Sequence, residues 1–366
     1  MYTVAEIEKA INEFAPFKLA ADWDNSGFQV GDKNAVAENI LISLNTTEEA
    51  IDEAIELNSD LIITHHPLLF SSVNKIEKNQ ATGNIIYRLI KNDISLISAH
   101  TNIDRSEEGL NNYLAHKLSL KNISFLQQDE NMNKLVVFVP EENLEDVKFA
   151  LHESGAGKFE KYDMTGFYTP GTGTFRALEG SKPAVGETEN YNQVEEYRLE
   201  TIFPARKIDM IIEKLIQVHP YEEPAFDVIN LEQHQGELLS ARKGIMSEPD
   251  LLSEFIERVK NTLQLDRVRF MGDVNKKINS VAIACGSGSD FIGEAKVNGA
   301  DVLLTGDMKY HDWEKAYNMG LFVVDAGHFG TEKMFGEYLK NKLANLVSDD
   351  LKIKASQTEN GYWSSK

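Results

Sequence analysis

Asp60-Leu61-Ile62-Ile63-Thr64-His65-His66-Pro67 decides the fold class, because a short apolar run ends abruptly in two imidazoles and a proline. The run is too short for a typical helix and reads as a strand buried on both faces. Pro67 fixes the point where the extended chain turns away. Five further segments repeat the pattern of a β-rich run followed by a polar or glycine-bearing loop. Residues 39–44 precede Asn45-Thr46-Thr47, and residues 94–99 precede His100-Thr101-Asn102. Residues 280–285 precede Gly286-Ser287-Gly288-Ser289, and residues 301–305 precede Gly306-Asp307. Residues 321–325 precede Ala326-Gly327-His328. Helical patterns often follow these loops, so the alternation predicts an α/β scaffold whose ligands gather beyond the carboxyl ends of the strands.

Three of the six units lie before residue 105 and three after residue 279. The stretch between reads differently. Residues 134–139 form a strand pattern and 141–153 a helical one, closed by the glycines at 155 and 157. β-like pieces follow at 162–168 and 195–203, then a helix over 205–218 with Ile208, Ile211, Ile212, Leu215 and Ile216 on one face. A strand over 225–231 completes a βαββαβ order, the signature of a small ferredoxin-like α+β domain. Residues 168–173 and 179–192, rich in glycine, proline and charge, read as surface loops. The expected organisation is a first α/β half over 1–128, an inserted domain over 129–235 and a second α/β half over 236–366.

The bulk composition agrees with this plan. The chain has 366 residues, enough for two or three domains, and 42% hydrophobic residues, enough for real cores. No apolar run approaches the roughly 18–20 residues of a membrane span, and the acidic start Met1-Tyr2-Thr3-Val4-Ala5-Glu6 lacks a basic, apolar signal region. A cytoplasmic protein is expected. The single cysteine, Cys285, excludes an internal disulfide and a cysteine-rich zinc site, and its apolar surroundings mark it as a core residue. A formal net charge of −21 argues against broad nucleic-acid binding. It leaves room for a phosphorylated small ligand near bound cations.

The residues able to do chemistry cluster at the strand ends. His65 and His66 leave a strand in adjacent positions, so their rings can face two neighbouring metals; strand-end histidines also serve as structural residues. Asp104, in His100-Thr101-Asn102-Ile103-Asp104, offers hard oxygen to a divalent ion or caps the helix that follows, and His100 can ligate or orient a ligand. His328 and Glu332 are four apart at the start of a helix, on one face, where they can grip one ion; Glu332 can also complement the helix dipole. Three such clusters at three strand ends point to a shared two-metal site. His311, beyond the strand at 301–305, is a candidate proton shuttle or a satisfied structural histidine. The Gly286–Ser289 turn can cradle a phosphate through its amides. His116, His152 and His234 read as ordinary surface or helix residues.

Together these motifs resemble the NIF-three-like proteins, the group that carries the label GTP cyclohydrolase 1 type 2 homologue. The matching pieces are Trp23-Asp24-Asn25-Ser26-Gly27 with Gly31, Thr64-His65-His66-Pro67, and His100-Thr101-Asn102-Ile103-Asp104. Gly306-Asp307, His311 and Asp325-Ala326-Gly327-His328-Phe329-Gly330-Thr331-Glu332 complete the set. The resemblance spans about residues 1–125 and 236–366, and the middle segment is similar to the optional insert of the longer members, which resembles signal-transduction and copper-tolerance folds. In that insert, His219-Pro220-Tyr221-Glu222-Glu223-Pro224 matches a recurring piece, which reads as a rigid turn between helix and strand in preference to a ligand site. The resemblance implies two divalent ions per subunit, zinc ahead of iron or manganese, held by His65, His66, Asp104, His328 and a bridging Glu332. It implies a pocket lined by Trp23, Asn25 and His100, and a homohexameric ring whose metal sites face an inner cavity.

Two functions follow as expectations. One is a metal-dependent hydrolase of a nucleotide-like or phosphorylated substrate, with His311 or His100 handling protons. The label names a particular case, hydrolytic opening of the GTP purine ring with release of formate. The other is a non-enzymatic metal-binding or regulatory ring protein with a ligand-sensing insert.

Overall fold

The computed structural model describes residues 1–127, 132–158, 162–231, 238–347 and 351–358. They form two compact units, Met1–Leu126 with Leu238–Lys366, and Gln127–Glu237. The expected borders at 128/129 and 235/236, and His234, lie outside the described residues.

The chain opens with β1 (Tyr2–Thr3), α1 (Val4–Phe14), β2 (Gly27–Val30), β3 (Val36–Ala37), β4 (Asn39–Ser43), α2 (Glu48–Glu56) and β5 (Leu61–Thr64). It continues with α3 (Ala81–Lys91), β6 (Ser95–Ser98), α4 (Thr101–Arg105), α5 (Leu110–Lys117) and β7 (Lys121–Gln127). The second unit holds β8 (Met132–Pro140), α6 (Leu144–Glu153), β9 (Phe167–Arg176), β10 (Tyr191–Pro204), α7 (Ile208–Val218) and β11 (Phe226–Asn230). The first unit resumes with β12 (Leu238–Leu251), α8 (Leu252–Leu263), β13 (Arg269–Met271), β14 (Lys277–Ser287) and α9 (Ile292–Val297). It ends with β15 (Val302–Gly306), α10 (Tyr310–Asn318), β16 (Phe322–Asp325), α11 (His328–Glu332), α12 (Phe335–Ala344) and β17 (Lys352–Ala355).

The first unit carries two larger sheets. One has the order β17-β4-β5-β6-β2, parallel except for β2. The other has the order β13-β16-β15-β14-β12-β7, with β14, β15 and β16 parallel and β12 and β13 antiparallel. The continuous apolar runs are explained by burial on both faces. In β5, Leu61 and Ile63 enter one core while Ile62 enters another. In β15, Val302 and Leu304 face one core and Leu303 a second. Successive side chains point to opposite faces, so a strand covered on both sides needs every position apolar. Helix starts are fixed locally. Thr3 and Glu6 form a reciprocal capping box at α1, and Thr47 accepts from the Ala50 amide at α2.

The second unit is one antiparallel sheet, order β11-β8-β10-β9. Leu135, Val137 and Val139 of β8 with Leu199 and Phe203 of β10 pack on Leu144, Val147 and Leu151 of α6 and Ile211 and Leu215 of α7. Both helices therefore cover the same face. The expected loop at 168–173 is corrected here, since Phe167–Arg176 pairs along its length with β10. Pro170 and two glycines disguise this strand in the sequence, and they are tolerated because β9 is an edge. Among the described residues no helix is long and apolar enough to cross a membrane.

Candidate metal centre

Five strand ends or adjoining turns deliver polar side chains to one place in the first unit. β5 ends at Thr64, and Pro67 turns the chain so that His65 and His66 stay behind. His65 is fully buried, and its Nδ1 lies 2.9 Å from the Ala99 carbonyl. His66 Nδ1 lies 2.8 Å from Asn45 Oδ1, just past β4. His328 opens α11, with Nδ1 2.7 Å from Asp307 Oδ2, just past β15. His100 precedes α4, with Nδ1 2.9 Å from Asp24 Oδ1. Each of these four rings thus meets an acceptor at Nδ1, which places the ring proton there and turns the Nε2 lone pair to the free side.

Those free sides converge. His65 Nε2 lies 3.7 Å from Glu332 Oε1 and 3.8 Å from Asp104 Oδ1. His66 Nε2 and His328 Nε2 lie 3.2 and 3.0 Å from Glu332 Oε2, and 3.3 Å from each other. Donor atoms of His65, His66 and His100 form one group within 4.8 Å, and those of His66, His328 and Glu332 form another. Among the described residues, His65 Nε2, Asp104 Oδ1 and Glu332 Oε2 are buried with no hydrogen-bond partner. Lone pairs facing lone pairs and carboxylates are costly unless a proton or cation lies between them. Imidazole nitrogen and carboxylate oxygen are the donor set of a first-row divalent ion, so the residues fit a metal.

The electrostatics carry the same demand for positive charge. Burial pushes the His65 imidazole down, but Asp104 and Glu332 outweigh it and raise the pKa to about 9. His328 is raised to about 9, chiefly by its contact with Glu332. Burial lowers His66 and raises Asp104. Glu332, although buried, is held well below the usual carboxylate range by His328, His65 and His66. Gly286 makes room for it: a Cβ there would come within 2.3 Å of Glu332 Oε1, and its φ of +69° suits glycine. The Gly286 amide donates to Thr331 Oγ1, and the turn forms a wall of the centre.

The five sequence-predicted ligands are therefore brought together, and His100 joins them. Asp104 sits inside α4 rather than at the start of the next helix, which begins at Leu110. Trp23 is 62% exposed, with its ring centroid 6.0 Å from His100 and 5.7 Å from Phe70. Asn25 spends its Nδ2 on the Leu69 carbonyl. His311 lies in the first turn of α10 with its side chain 86% exposed and Nδ1 3.2 Å from Glu314, and it belongs to neither donor group. Cys285 packs against two cores, and burial raises its thiol. Four supporting roles were not assigned from the sequence, those of Asn45, Asp307, Asp24 and Phe70. Asn45 and Asp307 stand directly after strands, which is the available signal. Asp24 also accepts from nearby Ser26 and from the distant Thr101 amide, and the latter contact has no sequence signature.

The profile of the Duf34/NIF3 family (NGG1p interacting factor 3) matches residues 2–361. A Bacillus subtilis (strain 168) relative named GTP cyclohydrolase 1 type 2 homolog is 38% identical over 346 residues, 94% of this chain and 92% of its own. A crystal structure of a Bacillus cereus protein related to NIF3 aligns with a TM-score of 0.62 at 37% identity, covering 100% of this chain and 99% of that one. Staphylococcus aureus protein SA1388 aligns with a TM-score of 0.67 at 31% identity, over 100% and 99% of the two chains.

Proposed function

The chain belongs to the Duf34/NIF3 family, and from that premise we propose that it is a dinuclear metal-dependent hydrolase of a nucleotide-like or phosphorylated small molecule. The observation that carries the reading is the division of Glu332. Oε1 faces His65, which also faces Asp104, while Oε2 faces His66 and His328. With its two oxygens facing different donors, Glu332 would hold divalent cations together with His65 and Asp104 through one oxygen and with His66 and His328 through the other. Zinc is the first candidate, with iron and manganese compatible with the same donors. Cations held there supply Lewis acidity toward a substrate oxygen.

The protein's own groups do the rest. The Nδ1 contacts to Ala99, Asn45 and Asp307 hold the three ligand rings in one orientation before anything binds. His100, fixed by Asp24, keeps Nε2 available to take or give a proton beside the donors. Trp23 and Phe70 form an exposed aromatic wall next to His100, where a substrate can rest. His311 is a second proton-handling candidate, and its exposure puts the first weight on His100. The relatives' name supports a nucleotide as the substrate to try first. We extend the proposal to a homohexameric ring in the cytoplasm and to a ferredoxin-like insert, the latter supported by its strand order.

Elemental mass spectrometry of untagged protein tests the reading. About two equivalents of a divalent metal per chain are expected, falling in His66→Ala and Glu332→Ala. Nucleotide hydrolysis should then be lost in His100→Ala with metal retained. A wild type that neither carries nor takes up zinc, iron or manganese removes the proposal. Light scattering checks the ring.

A further inference from the structure

Both helices of the second unit cover one face of its sheet and leave the other without a helix. The residues there are Phe138 on β8 and Glu196 and Arg198 on β10, since Arg198 pairs directly with Phe138 and side chains alternate. The connection after β9 and the turn at 219–225 fold over this face without filling it. They leave a cavity of about 710 Å³, within the size range of small-molecule sites. Its apolar lining includes Phe138, Phe175, Pro183 and Val185. Its charged lining is three carboxylates, Glu196, Glu222 and Glu223, against one ammonium, Lys182.

Two contacts show that the acidic side is built rather than accidental. Tyr221 donates its hydroxyl to Glu196 Oε1 at 2.7 Å, and burial followed by this carboxylate raises the phenol, so Tyr221 stays a donor. Gly173 leaves clear the space occupied by the other oxygen, since a Cβ there would lie 1.9 Å from Glu196 Oε2. His219 fixes the turn that carries Tyr221, bonding the Phe138 carbonyl through Nε2 and accepting the Tyr221 amide at Nδ1. The histidine is thereby fully used as structure, Glu222 accepts from the Lys182 amide, and the second oxygen of Glu196 is the acceptor offered to a ligand.

We propose that this cavity is a binding site for an organic ammonium ligand, its apolar body among the phenylalanines and its cationic nitrogen against Glu196. An ammonium answers the excess of carboxylate, and the aromatic rings favour a cation at their faces. An anionic nucleotide is disfavoured here, which separates this site chemically from the one in the first unit.

The test uses the full chain and a dansyl reporter on a five-carbon chain ending in an ammonium, a methyl or a carboxylate. Fluorescence titration should show the ammonium form binding at least about ten-fold more tightly than the other two, the scale of one charge-assisted contact. Glu196→Gln keeps an acceptor for Tyr221 and should erase this preference. Glu213→Gln, the same charge change on α7, should leave it intact. Chelator-treated protein should show the same preference, so failure of the metal-centre reading does not touch this one. Equal binding of the three reporters, stronger binding of the carboxylate, no binding at all, or an intact preference in Glu196→Gln overturns the proposal. Loss of the preference on chelation does so too, because the reporter would then be bound at the metal centre.

Discussion

The two sites solve opposite problems. The centre in the first unit is made of buried and half-buried side chains on short turns and helices that follow strands, its histidines each held by a second contact, and its donors call for positive charge. The cavity in the second unit is made by loops lying over a sheet face without helices, and its lining joins apolar side chains to an excess of carboxylate. Rigid elements fix donor atoms to within the tolerance of a metal, whereas loop-covered faces accept varied shapes. The first site should therefore respond sharply to single-atom changes, and the second to changes in charge.

Gly286→Ala should have the largest effect. The added Cβ overlaps Glu332 and sits at a positive φ, so metal affinity should fall by about a hundred-fold or more, read by competition with a chromophoric chelator. Near-normal affinity would show that the centre is softer than its packing implies. Leu215→Ala removes a fully buried side chain from the second unit and should cost that unit about 2–5 kcal/mol in denaturant unfolding. Metal content should not change, which keeps the two units separable; coupled loss of metal would deny it.

Asn45→Ala leaves all five ligands in place and removes only the contact that orients His66. A drop of about 10–100-fold in metal affinity is expected. No drop would mean that packing alone holds the ring. A further test is pH dependence, in which His65 and His328 of the first unit and His219 of the second carry opposite signs. In metal-free protein, His65 and His328 have pKa values raised from 6.5 to about 9. The folded state holds those protons more tightly, so their contribution is full below about pH 6.5 and is lost as pH rises through about 9. His219 is lowered by burial, so its contribution is present above about pH 6.5 and is lost as pH falls. Metal binding competes with the protons on the first unit's histidines, so loaded protein should lose the alkaline weakness. Melting curves across pH, with and without metal, check all three signs.

The strand ends were legible because burial on both faces leaves a continuous apolar run that stops where chemistry starts. His65, His66, Asp104, His328 and Glu332 could be picked out as a group for that reason, and the structure brings them together. What the sequence hid was pairing. β9 looks like a loop because Pro170 and its glycines are judged by local propensity, whereas an edge strand is held by its neighbour. β17, Lys352-Ile353-Lys354-Ala355, is short and half charged, and only its pairing with β4 identifies it. His100 was visible as a candidate, but the acceptor at its back, Asp24, lies 76 residues away in sequence. Side-chain contacts at that range leave no local pattern.

The place of β17 has a consequence for how the molecule is assembled in time. Ile40 and Ile42 in β4 find partners in Ile353 and Ala355, residues translated long after them. Until β17 is made one edge of β4 has no strand to meet, and His65 and His66 wait beside it for the carboxylate of Glu332. Contacts of such long range slow folding, because the loop they close must be ordered before they form. β17 thus covers an edge that stays open from the time β4 is made until β17 follows it, and the nascent chain has reason to be kept apart from its neighbours until then.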